Sequence, residues 1–295
     1  MPLTAASIDA FFAGNSRATN DATNKVREQI LATVLAPGAE TDEFYDNAEF
    51  GEKWQIVCAG WADVLDWSAG DTLKQMAGRQ HNYDFLHMKA CGTQQKIELK
   101  CGNGDVSLRH LPQFLSLAAD FDMFSEGAES YAEFYYDRFL DIYLDACSGA
   151  ASDSEVIALK PDRKTYLKLV RGNNYDCHPF FRWLYDNEEH NKAEKSAIVD
   201  QSISSYLLAC AGELDLEKLS AKFADSQGEK IFVFCSNGRF TCDSFSKDDL
   251  RLTGMVDITK NSIIVEAASG RKYKMLLRWR NHKGVMLPAW QISSL

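Results

Sequence analysis

The sequence predicts a protein of the mixed α/β (α+β) class, and three stretches carry that prediction. Between Glu129 and Ala146, Tyr131, Phe134, Tyr135, Phe139, Ile142 and Tyr143 recur at three- and four-residue steps, the spacing of one helix face. In Lys96-Ile97-Glu98-Leu99-Lys100-Cys101, by contrast, polar and apolar residues alternate, the period of a strand with one buried side. From Lys230 onward alternation and turn dipeptides replace helical spacing, so the C-terminal part is β-rich.

The chain has 295 residues and a formal net charge of −10, with ordinary apolar and charged fractions. That length supports one large domain or two smaller ones with a buried core, and the composition excludes disorder as the default. The acidic total gives no support to a generally basic nucleic-acid coat and says nothing about a local basic patch. Cys58, Cys91, Cys101, Cys147, Cys177, Cys210, Cys235 and Cys242 are scattered without close C-x-x-C spacing, the pattern of reduced core residues rather than zinc or redox pairs. Met1 to Ala13 has no basic leader and too short an apolar stretch for a signal peptide, and no run is long enough to span a bilayer. The expectation is an intracellular protein of the cytoplasm or nucleus, neither secreted nor membrane-bound.

In chain order, Val26, Ile30, Leu31 and Val34 predict a helix over Asn24 to Leu35, stopped by Ala36-Pro37-Gly38, with Glu28 off its apolar face. The acidic run Glu40, Asp42, Glu43, Asp46 and Glu49 reads as a solvated loop. Trp54, Val57, Trp61 and Leu65 predict a second helix, Glu52 to Leu65. Ala77 to Asn82, with Gly78, Arg79 and Gln80, reads as a loop delivering the chain to a strand at Asp84-Phe85-Leu86-His87-Met88. This strand and Lys96 to Cys101 form a hairpin. Cys101-Gly102-Asn103-Gly104-Asp105 is then a turn, and Leu111-Pro112-Gln113-Phe114-Leu115-Ser116-Leu117 the start of a helix with proline in its first turn. Ser148 to Asp153 is a small, polar boundary. Thr165 to Val170 is predicted as a strand, Pro179 to Tyr185 and Lys195 to Leu208 as helices. Ile231 to Cys235 and Phe240 to Phe245 flank the hairpin turn Ser236-Asn237-Gly238, with further strands at Ser262 to Ala267 and Tyr273 to Trp279.

Strand alternation sets Glu98 and Lys100 on one face and Ile97, Leu99 and Cys101 on the other. A hairpin partner at Asp84 brings a second carboxylate to Glu98, with the Lys100 ammonium two residues farther along. Two acids and a lysine suit a hard divalent cation. Mg²⁺ takes oxygen ligands and keeps several waters, so Asp84 and Glu98 fill part of its shell and leave room for a phosphate and a water. Lys100 would orient or deprotonate that water, and Glu28 or Glu52 could add a further carboxylate from a packed helix. Against this stands the solvent-facing ion pair that any isolated Glu-x-Lys suggests. Asp162-Arg163-Lys164 repeats the pattern after Pro161, but in a polar turn without an apolar strand. No Walker loop, dinucleotide loop or Gly-x-Ser-x-Gly elbow is present. His81, His87, His110, His178, His190 and His282 show no paired metal spacing, and His178-Pro179 reads as a turn.

From Arg271 to Leu295 the ionised residues are Arg271, Lys272, Lys274, Arg278, Arg280 and Lys283, with no Asp or Glu. Together with Asn281 and His282 they suit phosphate contact and base-edge hydrogen bonds, making this stretch the expected DNA contact. The plainer alternative is pairing with the acidic N-terminal region.

Asp84, Glu98-Leu99-Lys100 and the segment opened by Leu111-Pro112-Gln113-Phe114 resemble the core of the PD-(D/E)xK nuclease superfamily, the fold of most type II restriction endonucleases. The stretches NYDF, IELKCG, LPQFLSL and LLRWRNHKGVMLPAWQIS are similar to restriction-endonuclease-like proteins of large DNA viruses and microbes. The resemblance implies a central mixed sheet flanked by helices, a divalent metal at Asp84 and Glu98, Lys100 in catalysis and Gln113 in support from the next helix. Tyr83 stands where the superfamily motif has proline. The expected organisation is a helical part (1–80), a catalytic core (81–150), a helical extension (151–228) and a β-rich basic part (229–295). The expected function is a Mg²⁺-dependent endonuclease, with Mn²⁺ able to substitute, that cuts double-stranded DNA at specific sequences as a homodimer. The alternatives are a catalytically silent DNA-binding protein on the same fold, or a structure-selective repair nuclease.

Overall fold

The computed structural model describes residues 2–13, 20–36, 43–76, 81–102, 107–119, 121, 123–147, 158–172 and 177–295. Its mixed α and β architecture agrees with the class predicted from sequence. The chain divides into two compact units, Met1–Leu111 with Phe223–Leu250, and Pro112–Lys222 with Arg251–Leu295. Both units are discontinuous in sequence, so the β-rich stretch 229–295 contributes strands to each.

The first unit is built on a mixed five-stranded sheet. Its strands are β1 (Thr72–Gln75), β2 (Phe85–Met88), β3 (Gln94–Cys101), β5 (Lys230–Ser236) and β6 (Arg239–Asp243), in the order β1-β2-β3-β5-β6. Only β3 and β5 run parallel; the other neighbours are antiparallel. Helices α1 (Asn20–Thr33) and α2 (Gly51–Leu65) contribute Ile30, Leu31, Trp54, Val57, Trp61 and Leu65 to a core with Phe85, Ile97, Val233 and Cys235. Each such large apolar side chain contributes roughly 1.5–3 kcal/mol when fully buried. Turn chemistry fixes the β5–β6 hairpin: Asn237 and Gly238 both take positive φ, and a Cβ on Gly238 would lie 2.7 Å from the Phe12 ring.

The second unit carries an antiparallel sheet of β4 (Leu115–Ala118), β7 (Leu252–Thr259), β8 (Ser262–Ala267), β9 (Lys272–Asn281) and β10 (Met286–Ser294), ordered β4-β10-β9-β8-β7. Its helices are α3 (Tyr131–Arg138), α4 (Leu140–Cys147), α5 (Arg163–Val170), α6 (Pro179–Asp186) and α7 (Lys192–Cys210). The division between units falls within helix α8 (Leu216–Gln227), between Lys222 and Phe223. At the unit's centre the Tyr131 hydroxyl is hydrogen-bonded to Ser202 at 2.9 Å and accepts from the Trp279 indole at 3.0 Å.

Several expectations are corrected. Helix α1 begins at Asn20 and ends at Thr33 rather than spanning Asn24 to Leu35; Asp21 in its first turn favours the earlier start. The segment from Leu111 is not a helix: Pro112 and Gln113 lie in a stretch without helix, and Leu115–Ala118 is a strand against β10. A short apolar run fits either period, and the strand partner decides. Thr165 to Val170 is helical rather than extended, because Asp162 caps α5 by accepting from the Thr165 N–H at 3.0 Å and Tyr166 and Val170 bury at four-residue spacing. The second acid-x-Lys match is thus a helix start. The aromatic helix breaks at Phe139, which ends α3, so Tyr131, Phe134, Tyr135 and Tyr143 are buried while Ile142 stays 49% exposed. Strands β1, β7 and β10 and helix α8 were not foreseen.

The hairpin of β2 and β3, helix α2, the Asn237-Gly238 turn and strands β8 and β9 lie where the sequence places them. Glu43, Asp46 and Glu49 are exposed, as a solvated acidic stretch requires. Cys91, Cys177 and Cys242 are exposed rather than in the core, although none of the eight cysteines forms a disulfide. No helix among the described residues is long and apolar enough to cross a membrane. The predicted stop at Pro37-Gly38, the acids Glu40 and Asp42, loop residues Gly78 to Gln80, turn residues Asn103 to Asp105 and the boundary Ser148 to Asp153 lie outside the described residues.

Candidate active site and the cationic sheet face

Antiparallel pairing sets Phe85 opposite Ile97, and the Asp84 N–H donates to the Ile97 carbonyl at 2.8 Å. Continuing that register by one residue brings Asp84 beside Glu98. The Asp84 carboxylate is held in place: its Oδ2 accepts from the Leu99 N–H at 2.7 Å. Alternation along β3 sends Ile97, Leu99 and Cys101 into the α1–α2 core and leaves Glu98 and Lys100 together on the other face. There the Lys100 ammonium meets Glu98 Oε1 at 2.6 Å. Glu98 is 8% exposed, so this is not the loose surface pair of the plainer reading.

The sequence did not single out Lys230, which completes the cluster. It opens β5, where the parallel register sets Lys96 against Lys230 and Glu98 against Phe232. Its ammonium passes the Phe232 ring, 6.0 Å from the centroid, to reach Glu98 Oε2 at 2.7 Å. Both carboxylate oxygens of Glu98 therefore carry an ammonium. Burial pulls the Lys230 amine below the ordinary lysine range, while Glu98 acts against that shift. The pair is separated by 132 positions, and no local spacing could reveal it.

Of the two helix acids, Glu28 is the one near the site. Its Oε2 accepts from Gln75 of β1 at 3.2 Å, and its charge acts on Asp84. Glu52 stands exposed in the first turn of α2 and is not among the charges that dominate at Asp84. Burial, then the nearby charges of Glu28 and Glu98, raise the Asp84 carboxyl to about 6, against the opposing Leu99 N–H and Lys100. Gln113 is exposed, belongs to the second unit and sits on no helix, so it is not carried by the helix expected after β3. Among the described residues no three His, Cys, Asp or Glu form a ready metal cage. His87 is a satisfied interior residue, hydrogen-bonded to Asp71 at 3.0 Å and Gln95 at 3.1 Å under a stacked Trp67.

In the second unit, β9 alternates cleanly. Tyr273, Met275, Leu277 and Trp279 are buried, whereas Lys272, Arg278 and Arg280 are exposed and Lys274 is half-buried. Among the described residues, Lys274, Arg278 and Arg280 have no ion-pair partner. The other predicted contacts differ: Lys272 lies 4.0 Å from Glu266, His282 Nδ1 3.1 Å from Glu188, and Lys283 2.7 Å from Asp200. These partners lie in the second unit, not in the acidic N-terminal region. Arg271 precedes the strand half-buried, and the side chain of Asn281 lies outside the described residues. Lys260, Arg278 and Lys283 also border a hollow of about 220 Å³ walled by Ile203 and Trp279.

No protein-family model, no curated protein and no solved structure matches the chain.

Proposed function

We propose that the chain is a Mg²⁺-dependent endonuclease of double-stranded DNA, of the site-specific type II restriction kind, with Asp84, Glu98 and Lys100 at its active site. The observation that carries this reading is the register that brings Asp84 beside Glu98 with Lys100 on the same strand face, the Asp84 carboxyl being raised to about 6 by burial and by the nearby charges of Glu28 and Glu98. Repulsion among partly buried carboxylates is what a hard dication relieves, and the donor set is all oxygen, as Mg²⁺ or Mn²⁺ requires. Asp84 and Glu98 would hold the ion, with Glu28 behind Asp84. When bound, the ion supplies Lewis acidity toward a phosphate oxygen and makes a water easier to ionise.

The protein's own groups do the rest. The Leu99 N–H fixes Asp84, β3 holds Glu98 and Lys100 on one face, and the Lys100 ammonium offsets negative charge that grows on a phosphate under attack. The mixed sheet of the first unit accords with the architecture that the resemblance to PD-(D/E)xK nucleases implies. Lys274, Arg278 and Arg280, which have no ion-pair partner among the described residues, would contact DNA phosphates, and a homodimer would supply the second active site that duplex cleavage needs.

A catalytically silent DNA-binding protein is the rival, and one observation favours it: both oxygens of Glu98 already hold lysines. Phage DNA incubated with purified protein and Mg²⁺, beside Glu98→Ala and Lys100→Ala, separates the two. Discrete fragments from the wild type alone are expected. A smear indicates a nuclease without site preference, and intact DNA that still binds the protein in a salt-dependent way indicates the silent form.

A further inference from the structure

The two lysines on Glu98 are not equivalent in their surroundings. The Lys230 side chain is 2% exposed and lies along a buried aromatic floor in which Phe232 and Phe234 stack at 6.4 Å. Among the described residues its ammonium has no other acceptor than Glu98 Oε2. An ammonium that leaves its sole acceptor in such a place loses a charge-assisted bond with no water to replace it. Lys100, on Oε1, is 21% exposed and can exchange Glu98 for water or a phosphate oxygen at much lower cost.

The local charge count points the same way. Glu28, Asp84 and Glu98 carry three negative charges when ionised, and Lys100 and Lys230 return two positive ones. A divalent cation and one phosphodiester bring the sum to neutral only if both ammoniums remain nearby. Glu98 therefore has to free one oxygen for the cation without either lysine leaving the site.

We propose that Lys230 is a positioning residue that keeps Glu98 fixed through Oε2, and that Lys100 is the ammonium a divalent cation displaces from Oε1, freeing it for the phosphate. This inference rests on the cation site of the proposed nuclease but not on cleavage. Cation entry thus delivers Lys100 to the substrate, coupling metal binding to assembly of the site. Lys230 never touches substrate, and its effect reaches the phosphate only through Glu98.

The test is Mn²⁺ binding to the full-length protein without DNA, followed by electron paramagnetic resonance of the free ion. Lys100→Met removes the competitor for Oε1, so its Mn²⁺ affinity is expected to be tighter than wild type by roughly fivefold or more. Lys230→Met leaves Glu98 free to turn both oxygens to Lys100, so its affinity is expected to be weaker than wild type, with Lys230→Arg restoring most of the loss. Equal or tighter binding by Lys230→Met overturns the positioning role, and weaker or unchanged binding by Lys100→Met overturns the exchange. If Lys230→Met does not fold, Lys230→Arg and Lys100→Met still decide: an arginine that folds but fails to sustain affinity counts against the clamp. Wild-type protein that binds no Mn²⁺ removes both this inference and the proposed metal-dependent activity. Mn²⁺ binding with the expected ranking but without DNA cleavage removes only the nuclease.

Discussion

Replacing Asp84 with asparagine should make the protein more stable and catalytically dead, and the size of the gain follows from the site. The Asp84 carboxyl is raised from 3.8 to about 6, chiefly by burial and then by Glu28 and Glu98. A native-state pKa above the unfolded value means that the folded form binds the proton more tightly, so ionisation opposes folding. The penalty is nearly absent below the unfolded value of 3.8, grows as pH rises between the two values, and is complete above about 6. At about 1.4 kcal/mol per pKa unit it reaches about 3 kcal/mol at neutral pH. Asparagine keeps an oxygen to accept from the Leu99 N–H and carries no charge. Urea unfolding of wild type and Asp84→Asn in chelator should therefore show the variant ahead by about 2–3 kcal/mol near pH 7.5, but by less than about 1 kcal/mol near pH 4. Added Mg²⁺ should raise the wild-type midpoint and leave that of the variant unchanged. A variant less stable than wild type at neutral pH, or equally favoured at both pH values, would refute the argument that Asp84 is buried beside like charge.

Other residues give independent tests. Glu28→Gln removes one of the charges that raise the Asp84 carboxyl, so the acid limb of the cleavage pH profile should move to lower pH, as rates measured between about pH 5 and 7 would show. Arg278→Ala and Arg280→Ala should each weaken duplex binding and flatten the slope of log affinity against log salt by about 1, measured by fluorescence anisotropy. Unchanged binding in both would remove β9 from the DNA contact. Tyr131→Phe leaves the Ser202 hydroxyl and Trp279 indole without their shared buried partner, and thermal or urea unfolding should show a loss of about 1–3 kcal/mol. Lys100→Ala should keep the fold, as circular dichroism would report, while abolishing cleavage, and Glu98→Gln, which keeps an oxygen to accept from the buried Lys230 ammonium, should do the same.

Local periodicity alone was enough to set Glu98 and Lys100 on one strand face and Ile97, Leu99 and Cys101 on the other. Those relations depend on consecutive backbone dihedrals, and a two-residue period leaves little freedom. Asn237-Gly238 was legible for the same reason, since its turn needs two positive φ values in succession. Only the tertiary structure decided that β5 runs parallel beside β3 and delivers Lys230 to Glu98, that Glu28 is among the dominant charges at Asp84, and that Leu115–Ala118 pairs with β10 instead of coiling into a helix. Each of these outcomes turns on which distant segments bury one another, a free energy shared across many contacts and absent from any window of neighbouring residues.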